Sequence, residues 1–171
     1  MPYYYIQPYS PLELKKRHID RLEFLYRQLF KSDPERARQI RYADVWRALE
    51  RDRMWIAHTE SVIVAMGFLI PNIKPIVAES FGSVQDVVTD EKHRGKVHNG
   101  QSLAESILGE MIRYAKAQRF KYLELTSAPD RIAANRLYQN LGFRLIAHAN
   151  PDDEAGTNLY RLYLTWKTTI I

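Results

Sequence analysis

The chain of 171 residues contains no cysteine. That excludes disulfide frameworks, thiolate nucleophiles and zinc knuckles together, and it fits a reducing compartment. No apolar stretch approaches the roughly 18 to 20 residues that cross a bilayer. The amino-terminal "MPYYYIQPYSP" is too polar and aromatic for the apolar region of a signal peptide. A cytoplasmic protein without a membrane partner is therefore expected. Internal repeats and low-complexity tracts are absent. His93 and His98 have no HxxxH partner, so both read as surface or phosphate-contact residues and no metal is expected.

Apolar residues make up 46% of the chain, enough to bury a full core, and the length predicts a single domain over 1–171. The net charge of +5 admits an anionic partner, either a nucleic acid or a phosphate-bearing cofactor. Much of the excess lies in residues 1–53, where 12 Lys and Arg face 8 Asp and Glu. The charges are interleaved, as on a solvated helical surface. No RNP-like or helix-turn-helix signature accompanies them, so a nucleic acid is not expected.

"YYYIQPY" reads as a short first strand. Ile19, Leu22, Tyr26 and Leu29 recur at three and four residues, which predicts an amphipathic helix from Pro11 to Phe30. Asp33 and Pro34 look like an N-cap and first helical position, opening a second helix through Leu49. "MWIAHTE" and "SVIVAMGFLIP" suggest a hairpin, and "GSVQDVVT" a further strand after the link "PNIKP". Leu103, Ile107, Met111 and Ala115 stack at i+4, predicting a helix over about 101–118. "KYLELT" is the next strand. Ala134, Leu137, Tyr138 and Leu141 mark a short helix, with Gly142 where its end wants a left-handed residue. "FRLIAHA" and "LYRLYLTW" form a last hairpin across "NPDDEAGTN". The order β-α-α-β-β-β-α-β-α-β-β predicts an α/β fold, a mixed sheet with helices packed on its faces.

The stretch "HRGKVHNGQSL" joins a strand to a helix start, where unpaired N–H groups and a partial positive charge favour an anion. It matches neither GxxxxGK[ST] nor GxGxxG. Taken with "VQDVVT" and "TSAPDRIAANRLYQNLGF", however, it resembles the GNAT superfamily of acyl-CoA-dependent N-acyltransferases. The resemblance is carried by residues 80 to 145, and the order of elements extends it over the chain. Arg94 and Gly95 match the start of the family's pyrophosphate-binding turn, and Gly100 through Leu103 its end. Val97, His98 and Asn99 stand where the family has glycine, with one extra residue between Arg94 and Leu103. Asn tolerates positive φ, so Asn99 is expected to replace a glycine. "AANRLYQNLGF" matches the family's A-x-N-x-L-Y-x-x-x-G-F signature.

The resemblance implies acetyl-CoA as cofactor. It implies the diphosphate on Arg94, Gly95, Lys96, Asn99, Gly100, Gln101 and Ser102, and the pantetheine arm on the backbone of Val87 and Thr89. The N–H of Val88 or a neighbour would face the thioester oxygen, Asn135 would hold the cofactor, and Tyr138 would protonate its sulfur. Many relatives carry a glutamate where this chain has Gln85. The general base is then Asp86, Glu124 or a water chain, and strand alternation puts Gln85 and Asp86 on opposite faces. The implied activity is acetyl transfer to a primary amine of a small molecule, peptide or protein. A module that binds coenzyme A or an acidic partner with little catalysis is the alternative. Dimers are common among such proteins.

Overall fold

In a computed structural model of the protein, the described residues are 3–9, 16–30, 35, 53–75, 79–148 and 156–165. They form β1 (Tyr5–Tyr9), α1 (Lys16–Leu29), β2 (Arg53–His58), β3 (Ile63–Lys74) and β4 (Glu79–Thr89). A 3₁₀ turn (Glu91–His93) and two very short strands, β5 (Val97–His98) and β6 (Gln101–Ser102), lead into α2 (Leu103–Ala117). Then come β7 (Tyr122–Ser127), α3 (Ile132–Asn140), β8 (Arg144–Ala147) and β9 (Asn158–Tyr163). The larger sheet has the strand order β1-β2-β3-β4-β7-β9-β8, and β5 and β6 pair by themselves. Among the described residues, β4 and β7 pair in parallel. The second helix expected over Asp33–Leu49 falls outside the described residues apart from Glu35. Among the described residues, no helix is long and apolar enough to cross a membrane.

The chain is organised as two compact units. The first comprises Met1–Ile70 and Asp86–Met111, the second Pro71–Gln85 and Ile112–Ile171. In the first, the periodic face of α1 supplies Leu22, Leu25 and Tyr26 to a core with Met54, Ile56, Ile63, Met66, Phe68 and Val88. Full burial of each aliphatic side chain contributes about 1.5 to 3 kcal/mol before entropy is counted. On β3, a Cβ added to Gly67 would meet Met111 Cε at 2.8 Å and Ile107 Cγ2 at 3.3 Å. The missing side chain is what lets α2 lie close on the strand. Pro8 is accommodated because β1 is at the sheet edge. The strand β3 runs on through Pro71 to Lys74, so most of the expected link "PNIKP" is strand.

In the second unit β7 pairs with β9 over its whole length, and β9 with β8. Two helix ends show the same device. Phe143 N–H donates to Tyr138 C=O at 3.0 Å and Gly142 N–H to Gln139 C=O at 2.9 Å, with Gly142 at φ +90°. This is a Schellman closure, and it confirms the left-handed position expected at Gly142. At the end of α2, Phe120 N–H reaches Ala115 C=O at 2.9 Å, with Arg119 at φ +57°. No glycine marks that second closure.

Candidate active site

The loop after β4 differs from the sequence expectation in one respect. Helix α2 starts at Leu103, not near residue 101. Val97 pairs with Ser102 and His98 with Gln101, and the two residues between them, Asn99 (φ +51°) and Gly100 (φ +82°), are both left-handed. Asn-Gly is the pair a tight two-residue hairpin favours, since both central residues need positive φ. Asn99 therefore does stand in for a glycine, as expected, but in a hairpin turn that precedes the helix. Ser102 takes the capping position: its Oγ accepts from Glu105 N–H at 3.2 Å, and Glu105 Oε2 accepts from Ser102 N–H at 3.4 Å. This reciprocal box satisfies two amides at the helix start and adds a carboxylate there. Its signature, S-x-x-E over residues 102–105, was legible in the sequence.

Arg94, Gly95, Lys96, Asn99, Gly100 and Gln101 are exposed and Ser102 is half-buried. A Cβ built on Gly95 or Gly100 would meet nothing within 4 Å, so the main chain is open to a ligand at both. Arg94 Nε donates to Thr89 C=O at 3.3 Å, and its guanidinium lies 3.8 Å from Glu91. Val88 belongs to the buried core, and Val87 is half-buried against the Gly67 side of β3.

The loop is anchored by a residue that sequence reasoning passed over. Asp90, 3% exposed, caps the 3₁₀ turn by accepting from Lys92 N–H at 3.0 Å. It also accepts from Arg21 and, at 3.4 Å, from Gln28, both on α1. Gln28 Oε1 in turn accepts from Glu91 N–H at 3.0 Å, and His93 Nδ1 is 3.5 Å from Asp90. Burial alone would raise the Asp90 pKa, but the Lys92 amide, Arg21 and Gln28 together hold the carboxyl below its usual range. Two side chains of α1 thus fix the first turn of the loop. The visible signal was the spacing of Arg21 and Gln28, two turns apart on one helix.

On β4, Asp86 adopts φ +51°, so regular strand alternation does not hold there and cannot assign the faces of Gln85 and Asp86. Asp86 is half-buried and accepts from Tyr26 Oη at 3.2 Å. Pairing of β4 with β7 is confined to Gly82↔Leu123 and Ser83↔Glu124. Glu124 is thus at the last paired position of β7, where the strands part.

In the second unit, α3 carries Asn135 and Tyr138, both buried. Asn135 Nδ2 donates to Ala128 C=O at 3.0 Å and Pro129 C=O at 3.3 Å. Its Oδ1 is buried without a partner, a free acceptor one helical turn before Tyr138. The Tyr138 ring lies 6.1 Å from those of Phe143 and Tyr160. Burial raises the Tyr138 pKa, Tyr160 adds to the shift and Arg131 opposes it, so the phenol keeps its proton. Glu124 Oε2 accepts from Arg161 Nη2 at 3.0 Å. Tyr160 pairs with Leu125 and Arg161 with Glu124, so alternation puts Tyr138's neighbour and Glu124 on opposite faces of the sheet. Arg161 was not among the expected site residues. Only the strand register reveals it.

Each unit has a feature that suits a part of coenzyme A: in the first, open main chain with cations suits a diphosphate, and in the second, the orphaned Asn135 oxygen suits an N–H or O–H donor such as the pantetheine arm carries. A family model described as Acetyltransferase (GNAT) family matches residues 22–143. That is more than half of the chain, which belongs to this family. Over 90 residues the chain is 26% identical to N-acetyltransferase 8B of Homo sapiens, a match covering 53% of this chain and 37% of that protein. An acetyltransferase from Streptococcus agalactiae shares the fold with a TM-score of 0.71 at 20% identity, covering 94% of this chain and 98% of that one. A GNAT family acetyltransferase from Elizabethkingia anophelis with acetyl-CoA bound does so at 0.63 and 18% identity, covering 94% and 98%. At those identities the likeness to solved structures is one of fold, and it agrees with the mixed α/β sheet expected from the sequence.

Proposed function

We propose that the chain transfers an acetyl group from acetyl-CoA to a primary amine of a small molecule or peptide, by direct attack within a ternary complex. The observation that carries this reading is the arrangement about the parted strands. A buried, protonated phenol packs on the α3 face of the sheet, while a carboxylate at the last β4–β7 pair occupies the other face. A thioester lodged at the split is thereby open to an acid from one side and an amine from the other.

The cofactor supplies an activated acetyl group and a thiolate that can leave. The residues of the chain divide the remaining work. Arg94 and Lys96, with the main chain from Gly95 to Ser102, hold the diphosphate against the electrostatic cost of two phosphates. Backbone groups of Val87 and Thr89 align the pantetheine arm as an added strand, Asn135 Oδ1 accepts from it, and the N–H of Val88 donates to the thioester oxygen. Glu124 takes a proton from the amine, with Asp86 the second candidate. Tyr138 holds a proton at Oη for the departing sulfur.

Acetyl-CoA turnover across a panel of amines and peptides tests the reading, followed as free thiol and as acetylated product. Amine-dependent thiol release with matching product is expected. Tight binding of acetyl-CoA with no release on any acceptor would favour a coenzyme A-binding module instead.

A further inference from the structure

The sheet face that carries Glu124 holds more charge than amine attack requires. Arg161 stacks 4.3 Å above the ring of Tyr122 and donates to both Glu124 and the Tyr163 hydroxyl. Tyr122 stacks against Phe81 at 4.9 Å, and the ammonium of Lys74 lies 5.3 Å from the Tyr122 ring centroid. Arg144 on β8 is the register partner of Arg161, so two guanidinium groups share this face side by side. Like charges directly opposite one another across strands are unfavourable. Among the described residues, Glu124 pairs with one of the three cations, Arg161. Glu79, near the far end of β4, is matched by Lys121.

One donor here is also unused: Arg161 Nε is buried and makes no hydrogen bond. A buried donor without a partner costs free energy, and an anion entering beside it recovers that cost. Lys74, exposed and at the end of β3, is a flexible cover that can swing toward such an anion. Among the described residues, surplus positive charge, an orphaned guanidinium N–H and a carboxylate suited to an ammonium group lie on one face.

We infer that this face selects acceptors bearing a carboxylate close to the amine. The acceptor's nitrogen meets Glu124, and its carboxylate is received by Arg161 and Lys74. This inference rests on the acetyl-transfer reading and deepens it by naming the substrate class. An amino acid and a peptide with an acidic residue near its amino terminus present the same chemistry.

The test compares matched acceptors that differ in one carboxylate: tyrosine against tyramine, and the amidated dipeptide Ala-Asp against Ala-Asn. The carboxylate-bearing member of one pair is expected to have a kcat/KM higher by about tenfold or more, the size of a charge-assisted hydrogen bond. The responding pair tells a small-molecule source from a peptide. Lys74→Gln should narrow the preference, and Arg161→Gln should abolish it. Equal rates within both pairs, or a preference that survives Arg161→Gln, would overturn the inference and leave acetyl transfer standing. Should no acceptor turn over, calorimetric titration of tyrosine and Ala-Asp amide into the protein with coenzyme A present decides. Binding that Arg161→Gln removes supports the inference, and no binding overturns it.

Discussion

Tyr138 and Phe143 are tied twice: the Phe143 N–H donates to the Tyr138 carbonyl at 3.0 Å, and their rings meet edge-on at 6.1 Å. The left-handed Gly142 makes both contacts reachable. The string L-Y-x-x-x-G-F is therefore a helix-end device that sets the position of the phenol. Gly142→Ala places a side chain at φ +90°, with Leu162 Cδ1 at 3.4 Å. A loss of about 1 to 2 kcal/mol in denaturant unfolding is expected, together with a lower kcat.

Asp90 should govern cofactor affinity without touching the reaction. Asp90→Asn, or Arg21→Gln, is expected to raise KM for acetyl-CoA several-fold, roughly the effect of losing one charge-assisted bond, while kcat changes little. The carboxyl's folded pKa lies below its ordinary value of 3.8. Its stabilisation is thus complete above that value and is lost as pH falls through the lowered one. Acid unfolding should show this limb in the wild type, and Asp90→Asn should flatten it.

The capping box at Ser102 and Glu105 sets where α2 begins. Ser102→Ala should cost about 1 kcal/mol of stability and weaken coenzyme A binding as the helix start frays. Thermal unfolding with and without coenzyme A reads both effects. An unchanged melting temperature would show that the hairpin alone defines the helix start.

In the proposed acetyl transfer, two carboxylates are candidates to take the amine proton. Glu124→Gln is expected to lower kcat by about a hundredfold or more, with little change in KM for acetyl-CoA. Asp86→Asn keeps an oxygen for the Tyr26 hydroxyl and should stay near wild type. Steady-state rates of the two variants rank them, and the reverse order would assign the proton to Asp86.

Most of the helices and strands were legible because their apolar spacing also defines what they bury. The i+4 ridge of Leu103, Ile107, Met111 and Ala115 is buried throughout, and Gly142 announced its own turn. Boundaries set by backbone geometry were not legible. Asp86 adopts a left-handed conformation inside a strand, and Arg119 closes a helix where glycine is usual. Neither leaves a compositional mark. Long-range partners were hidden for another reason: Arg21–Asp90 and Glu124–Arg161 join residues far apart in the chain, and local pattern carries no information about such pairs.

The central claim is that the Tyr138 phenol delivers the proton to the leaving thiolate. Burial holds its pKa above the ordinary 10.0, so the protonated, active form persists further into alkali and no alkaline loss from this group is expected below about pH 10. Steady-state turnover of Tyr138→Phe beside the wild type is the most direct test. The account predicts a kcat lower by about a hundredfold or more with KM for acetyl-CoA nearly unchanged. A variant that turns over at the wild-type rate would contradict it.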